Sequence, residues 1–280
     1  MSNPVKVSAV LIVKNEKRNI VEALTSLHGW ADEIVIVDDH STDETVELAR
    51  RFTDRIFTHK MVMEGVQRNF GVSKAQNDWI MFIDGDERMT PELQKEITEM
   101  LANHDGKTFA YWCPRKNYLG DVWLQHGGWY PAPHIKLYHK NYLKWKEIPS
   151  DVVHPGIELA PGAQGGRLKN HLIHYNFRNI EDFMAKTNRQ TTLEAIKWHL
   201  QGKKISMAHA FWKSFDRFFR RFVRDAGYKD GYYGFVAAFL SGFYQFAAYS
   251  KLREIQEKGY YLDQYAPNAP KPEASTSKAS

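Results

Sequence analysis

Three carboxylates fall within four residues where an apolar run stops: Ile80-Met81-Phe82-Ile83 leads straight into Asp84-Gly85-Asp86-Glu87. The run reads as a buried strand, and strand side chains two apart point the same way. Asp84 and Asp86 can therefore face one point in space. Two hard oxygen ligands at a strand end suit Mg2+ or Mn2+, which few protein carboxylates hold and phosphate oxygens complete. A competing reading makes the same residues an acidic turn before a helix, because Thr90-Pro91-Glu92 has the build of a helix start.

Such a site needs elements that aim several turns at one place. Val7–Val13, Glu33–Val37, Arg55–Thr58 and Asp78–Ile83 read as strands, the first two as continuous aliphatic runs buried on both faces. Helical spacing lies between them over Asn19–Leu27, Thr42–Arg51 and Glu64–Ala75, and Pro91–Ala102 follows. This alternation predicts an α/β fold with a doubly wound, mostly parallel central sheet over about the first 110 residues. Ligands of such sheets bind beyond the carboxyl ends of the strands. Asn15-Glu16, Asp38-Asp39 and Asp84-Gly85-Asp86 all fall at such ends. Phe109–Tyr118 and Ile135–Tyr142 then read as further strands, around a loop carrying Gly127-Gly128-Trp129-Tyr130-Pro131. From Ile180 the pattern is helical, and residues 259–280 read as a disordered tail, rich in Pro, Ala, Ser and Lys from Pro267.

Composition narrows the classes. The 280 residues carry a net charge of +5, a pI near 9.0 and 14% aromatic residues, concentrated in the second half. Mild basicity fits an anionic partner such as nucleotide phosphates or an acidic membrane. No nucleic-acid motif is present. Cys113, the single cysteine, excludes an intrachain disulfide framework and a cysteine-based zinc cluster. Met1–Lys6 lacks the build of a signal peptide, so a reducing cytosol is the expected compartment.

The second half adds a membrane expectation. At helical spacing, Phe211, Trp212, Phe215, Phe218, Phe219, Phe222 and Val223 share one arc of Phe211–Arg224, opposite Lys213, Arg217, Arg220, Arg221 and Arg224. A basic amphipathic helix with an aromatic face can lie in the plane of an anionic bilayer. Its alternative is a helix packed on the rest of the chain with its basic face in water. Gly231–Ser250 follows without a charge, long enough to span, but its tyrosines, Gln245 and small residues suit a hairpin or interfacial helix better.

Four segments together resemble family 2 of the inverting glycosyltransferases, which have the GT-A fold. They are Val7–Glu16, Val37–Thr45, Gln67–Gly71 and Trp79–Glu87. Gly128-Trp129-Tyr130-Pro131, Ile135-Lys136-Leu137-Tyr138, His174-Tyr175 and Gly227–Phe235 resemble the subgroup that adds a hexose to a lipopolysaccharide core. Two departures stand out. Lys136 occupies a position where that subgroup usually has Arg, and Pro155 follows His154 where it usually has Glu.

The resemblance implies a nucleotide-sugar half over 1–110, an acceptor half over 111–180 and a membrane-associating helical region over 181–258. It also implies roles. Asp39 would accept a hydrogen bond from the uracil imide of a UDP-hexose, with Asn15, Glu16, Asp38 and Arg68 beside the donor. Asp84 would serve ribose or metal, Asp86 the metal directly, and His174 would complete the Mg2+ or Mn2+ shell. Direct displacement with inversion needs a general base near the acceptor hydroxyl. Within Trp145–His154 the choice falls on Asp151, with Glu147 next and Glu158 beyond. The expected activity moves a hexose, by resemblance glucose, from UDP to a lipid-anchored saccharide at the cytosolic face of an inner membrane. The alternatives are transfer to a polyprenyl phosphate, and a catalytically silent membrane-bound GT-A module. A nucleotidyltransferase is disfavoured, because Lys14–Asn19 has no glycine-rich phosphate loop.

Overall fold

A computed structural model of the chain describes residues 5–148 and 155–265. They form two compact units. Unit one takes in the chain up to Tyr118, then Trp129–Ile148 and the segment ending at Asn176; unit two takes in Leu119–Gly128 and the chain from Phe177.

Unit one begins as alternation predicts. β1 (Val7–Val13), α1 (Ile20–Thr25), β2 (Glu33–Asp38), α2 (Thr45–Ala49), β3 (Ile56–Thr58), α3 (Glu64–Lys74) and β4 (Trp79–Asp84) follow in order. Next come β5 (Glu87–Arg88), α4 (Pro91–Ala102), β6 (Thr108–Cys113), β7 (Arg115–Leu119), β8 (Val122–Trp123, in unit two), β9 (His134–His139), β10 (Leu143–Trp145), β11 (Ile157–Leu159), β12 (Gln164–Arg167) and β13 (Leu172–Phe177).

Seven strands make the main sheet in the order β12-β6-β9-β4-β1-β2-β3. β4, β1, β2 and β3 run parallel, as do β6 and β12, while β9 lies antiparallel to both β4 and β6. The fold is thus α/β with a mixed central sheet flanked by helices. Strand alternation splits the core into two faces. Val7, Ala9, Leu11 and Val13 of β1 join one apolar cluster with Met81 and Ile83, while Val10 joins the other with Ile80 and Phe82. Leu93, Ile97 and Leu101 give α4 one buried stripe at four-residue spacing. Its Thr90 cap accepts from Leu93 N at 3.2 Å, so the helix-start reading of Thr90-Pro91 is correct and coexists with the acidic turn.

Two elements differ from expectation. Phe109–Tyr118 is not one strand, because Pro114 has no N–H to give a ladder. β6 ends before it, and β7 starts after it in a smaller sheet beside β13 and β5. The helix expected over Thr42–Arg51 is confined to Thr45–Ala49. Its lost first turn is taken up by Asp43, whose carboxylate accepts Thr45 N at 3.0 Å and Lys17 N at 3.2 Å.

Unit two contains α5 (Ile180–Leu200), α6 (Met207–Phe219), α7 (Gly231–Lys258) and α8 (Leu262–Tyr265). A π-helical turn over Arg220–Arg224 and a 3-10 turn over Gly227–Asp230 join α6 to α7. α7 packs along both α5 and α6. Small residues permit the approach: a Cβ on Gly242 would lie 2.8 Å from Ser214 O. The uncharged stretch from Gly231 is therefore part of one 28-residue helix, and the hairpin is the α6–α7 pair. No helix among the described residues is long and apolar enough to cross a membrane.

Candidate active site

β1, β2 and β4 are parallel, so their carboxyl ends share one edge of the sheet. Register places Val13 beside Asp38 and Ile12 beside Asp84. The loops beyond them touch. A Cβ on Gly85 would lie 2.9 Å from Glu16 Cγ, so the turn after β4 rests on the turn after β1. Asp39, Asp84 and Asp86 thus line the same edge rather than separate faces.

The loop after β1 is held by side chains. Asn15, with φ +56°, takes Thr42 N on its Oδ1 at 2.8 Å and gives its own N–H to Ser41 Oγ at 2.9 Å. Glu16 N donates to Thr45 Oγ1 at 2.7 Å, and its carboxylate accepts from Asn19 at 2.7 Å. Asp38 accepts Ser41 N at 3.0 Å and so shapes the turn after β2. Asp39 is 5% exposed. Its carboxylate meets Lys14 Nζ at 2.9 Å and Met61 N at 2.9 Å, one oxygen each.

Asp84 heads a buried charge network. Its Oδ2 lies 2.6 Å from Lys136 Nζ, which also reaches Glu87 Oε2 at 2.5 Å. Glu87 is fully buried, accepts Asp84 N at 3.0 Å and faces Arg115 Nη1 at 3.4 Å. Arg68, expected beside the donor, is largely covered, its side chain 12% exposed. It pairs with Glu64 at 2.6 Å, approaches Asp84 at 3.8 Å and stacks over Phe82 at 4.2 Å and Trp145 at 4.6 Å. Three carboxylates and three cations therefore balance. Burial alone would raise the Asp84 carboxyl, but Lys136, then Arg68, outweigh it and hold it below the usual carboxylate range. Burial likewise opposes the charge on Arg68, yet Glu64 and Asp84 raise its pKa.

Asp86 faces His174. β13 pairs antiparallel with β5, setting His174 opposite Glu87, and Tyr175 N donates to Asp86 O at 2.9 Å. Across that pairing His174 Nε2 lies 3.4 Å from Asp86 Oδ1. The other ring nitrogen is committed: Nδ1 sits 2.7 Å from Asn117 Oδ1. Asn117 directs its amide N–H to Trp129 O, so its oxygen must face the ring and accept. With Nδ1 given to Asn117, Nε2 is the ring nitrogen turned toward Asp86. Two acceptors so placed suit a shared cation, and a metal-ligating histidine commonly has its second nitrogen fixed this way.

The three expected metal ligands accordingly divide. Asp86 and His174 face each other, while Asp84 is turned to Lys136 because a buried ammonium must have a carboxylate partner. Among the described residues no three His, Cys, Asp or Glu side chains form a cation cage. Asp86 and His174 are the pair that could hold a divalent ion, with one oxygen and one nitrogen donor. His171 stands just before β13, and burial lowers its pKa.

Asp151, the expected general base, lies outside the described residues. Of its rivals, Glu147 accepts from Asn69 Nδ2 at 2.7 Å, and Glu158 is exposed on β11. Lys136, Glu87, Arg115 and Asn117 were not foreseen as a supporting set. A signal existed: a lysine inside the apolar strand Ile135–Tyr138 must be paired.

Residues 8–161 match the family described as Glycosyl transferase family 2. An uncharacterized glycosyltransferase of Rickettsia felis is 28% identical over 260 residues, 89% of this chain and 90% of its own. The lipopolysaccharide core biosynthesis glycosyltransferase LpsC of Rhizobium meliloti is 26% identical over 250 residues, 88% of this chain and 91% of its own. The crystal structure of S. aureus TarS 1-349 superposes with a TM-score of 0.45 at 16% identity, over 96% of this chain and 99% of that one.

Proposed function

The chain belongs to glycosyl transferase family 2, and from that premise we propose that it transfers a hexose, glucose by preference, from a UDP-sugar to a lipid-anchored saccharide of the lipopolysaccharide-core kind. The transfer inverts the anomeric centre and uses Mg2+ or Mn2+. One observation carries the reading: a single sheet edge gathers Asp39, Asp84 and Asp86, with His174 facing Asp86 from β13 and the charge of Asp84 already balanced by Lys136.

Each residue then has work suited to its surroundings. Asp39 is anchored by Lys14 and Met61 N, and each of its oxygens keeps a second lone pair for a uracil imide. A base without that donor would leave a nearly buried carboxylate unpaired, which is how such a site discriminates. Asp86 and His174 would hold the divalent ion. Bound there, the ion supplies positive charge where the leaving diphosphate gains negative charge. Asp84, fixed by Lys136, stands ready for the ribose. Asp151 is the proposed base at the acceptor hydroxyl. LpsC, described as acting in lipopolysaccharide core biosynthesis, supports an acceptor of that class. The exposed aromatic surface of unit two supports peripheral docking on the cytosolic face of a membrane, where such an acceptor resides.

A donor-hydrolysis screen tests this. The full chain is incubated with UDP- and GDP-sugars, with Mg2+, Mn2+ or chelator, beside Asp86→Ala. Hydrolysis of one UDP-hexose that needs the ion and vanishes in the variant is the expected result. Turnover of GDP-sugars alone, or turnover untouched by chelator, would overturn the donor or the metal assignment respectively.

A further inference from the structure

Unit two holds a cavity that the transfer reaction does not use. It encloses about 330 Å³ between the end of α5, the start of α6 and the middle of α7. Trp198 and Tyr249 form its apolar wall, and Lys203, Lys204, His209 and Lys213 stand around it. No lining side chain is acidic. All four basic residues are exposed.

Backbone construction puts the lysines there. α5 ends with Gly202 in the left-handed region at φ +65°. Gly202 N donates to His199 O at 2.9 Å, and Lys203 N returns to Trp198 O at 2.9 Å. This paired helix-end motif needs a residue that tolerates positive φ, and it aims the next residues sideways from the helix axis. Gln256 Nε2 holds Lys203 O at 3.2 Å, and the Lys203 ammonium lies 5.6 Å from the Trp198 ring centre. Four residues later α6 begins. Ser206 Oγ accepts His209 N at 3.2 Å, so the positive end of a 13-residue helix opens toward the same lysines.

The cavity borders the aromatic surface. From Met207 the exposed side chains of α6 run Met207, Phe211, Trp212, Phe215 and Phe219, between 51% and 64% exposed. On α7 the exposed row is Phe235, Phe239 and Phe243. Ring contacts between Phe218 and Phe235 and between Phe211 and Phe246 join the two helices into one apolar surface. An apolar surface edged by a cationic, acid-free cavity matches the boundary of an anionic bilayer, where acyl chains lie beside phosphates.

We propose that this cavity is a headgroup site, in which Lys203, Lys204, His209 and Lys213 take the phosphate of an anionic phospholipid while the aromatic rows of α6 and α7 enter the acyl boundary. The proposal rests on the membrane-docking reading above and names the ligand for it. The occupant is a membrane lipid rather than a soluble anion, because the cavity borders exposed apolar surface on both helices, which acyl chains would cover.

The test is sedimentation of the full chain with vesicles of phosphatidylcholine, with and without phosphatidylglycerol. The site variant carries Lys203→Gln, Lys204→Gln and Lys213→Gln. A control variant removes equal charge from exposed lysines of unit one, Lys95→Gln, Lys107→Gln and Lys169→Gln. Urea midpoints check that each remains folded. The wild type is expected to prefer phosphatidylglycerol vesicles, the site variant to lose that preference roughly a hundredfold, and the control to keep nearly all of it. Equal losses in the two variants would overturn the headgroup site and leave docking intact. No binding of the wild type to either vesicle would overturn docking itself. Calorimetry with inorganic phosphate completes the set: binding as tight as that to vesicles would reassign the cavity to a soluble anion.

Discussion

Unit one places Lys136 and Glu87 inside, whereas unit two places Phe211, Trp212, Phe215 and Phe219 outside. These are opposite departures from ordinary burial. Taking an ion out of water costs several kcal/mol, which a partner must offset. Leaving an aromatic ring in water forgoes about 1.5–3 kcal/mol of burial. Each unit tolerates its departure because the rest of it is well packed, and each departure sits where a ligand is expected. The buried network fixes Asp84 at the rim where a nucleotide diphosphate would lie. The exposed rows lie where a lipid surface would. Buried charge therefore reads as preorganisation for a small polar ligand, and exposed aromatics as an unfinished interface.

The contrast is open to attack, beginning with the largest expected effect. Asp86→Asn should lower kcat/KM for the UDP-hexose about a thousandfold, on the order of 4 kcal/mol of transition-state stabilisation. Its urea midpoint should hardly move, since the Lys136 ammonium is held by Asp84 and Glu87. A large fall in stability instead would make Asp86 structural and remove the distinction between rim and network. Lys136→Met should do the reverse. It leaves Asp84 and Glu87 without their shared cation, and loss of one partner from a buried pair costs about 3 kcal/mol or more. The readout is the urea midpoint, and Lys136→Arg should recover much of the loss. A Lys136→Met protein as stable as wild type would show that the network is solvated and contributes no preorganisation.

How far these differences could be read from the residues depended on whether a signal was local. Parallel strands β1, β2 and β4 announce themselves as aliphatic runs, and the acids at their ends follow from the same text. The partner of Asp84 does not. Lys136 is 52 positions away on a strand that enters the sheet antiparallel, so only the completed topology makes the contact. Asn117, which fixes the ring of His174, is 57 positions from it and is likewise a product of strand pairing. Pro114 was a visible breaker inside an apparently continuous strand. In unit two the amphipathic spacing of Phe211–Arg224 gave the helix but not which face would be covered. The small residues of α7 decide that. They bring α7 against α5 and α6 along its buried stripe and leave the aromatic rows outside.

Acid titration sharpens the comparison at a smaller scale. His139 of unit one is packed edge-on against Trp79 at 5.4 Å and Tyr142 at 5.1 Å, and burial lowers its pKa against the opposing pull of Asp78. The unfolded chain therefore takes up this proton first as pH falls below about 7, and stability declines until the folded chain is protonated as well. His171 is shifted the same way. The second decline has a different origin. The Asp84 carboxyl is depressed in the fold, so its contribution is complete above about pH 4 and is lost as pH falls through its lower folded value. Urea midpoints against pH should show both steps in the wild type. His139→Phe should diminish the first and leave the second. An unaltered first step would place its origin elsewhere.

The smallest expected change bears most directly on unit two. Trp212 is 64% exposed, and its ring meets Phe215 at 6.3 Å. A tryptophan that finished a core would cost about 3–5 kcal/mol on truncation. For Trp212→Ser the expectation is a change within about 0.5 kcal/mol, because little of the ring is withdrawn from water and little packing is lost. The same variant should weaken vesicle binding whether or not the lipid is anionic, since the ring contributes apolar surface and not charge. A stability that drops by several kcal/mol, with vesicle affinity unchanged, would mean that this surface completes a fold in solution. The two units would then obey one rule of burial, and the aromatic rows would carry no message about a membrane.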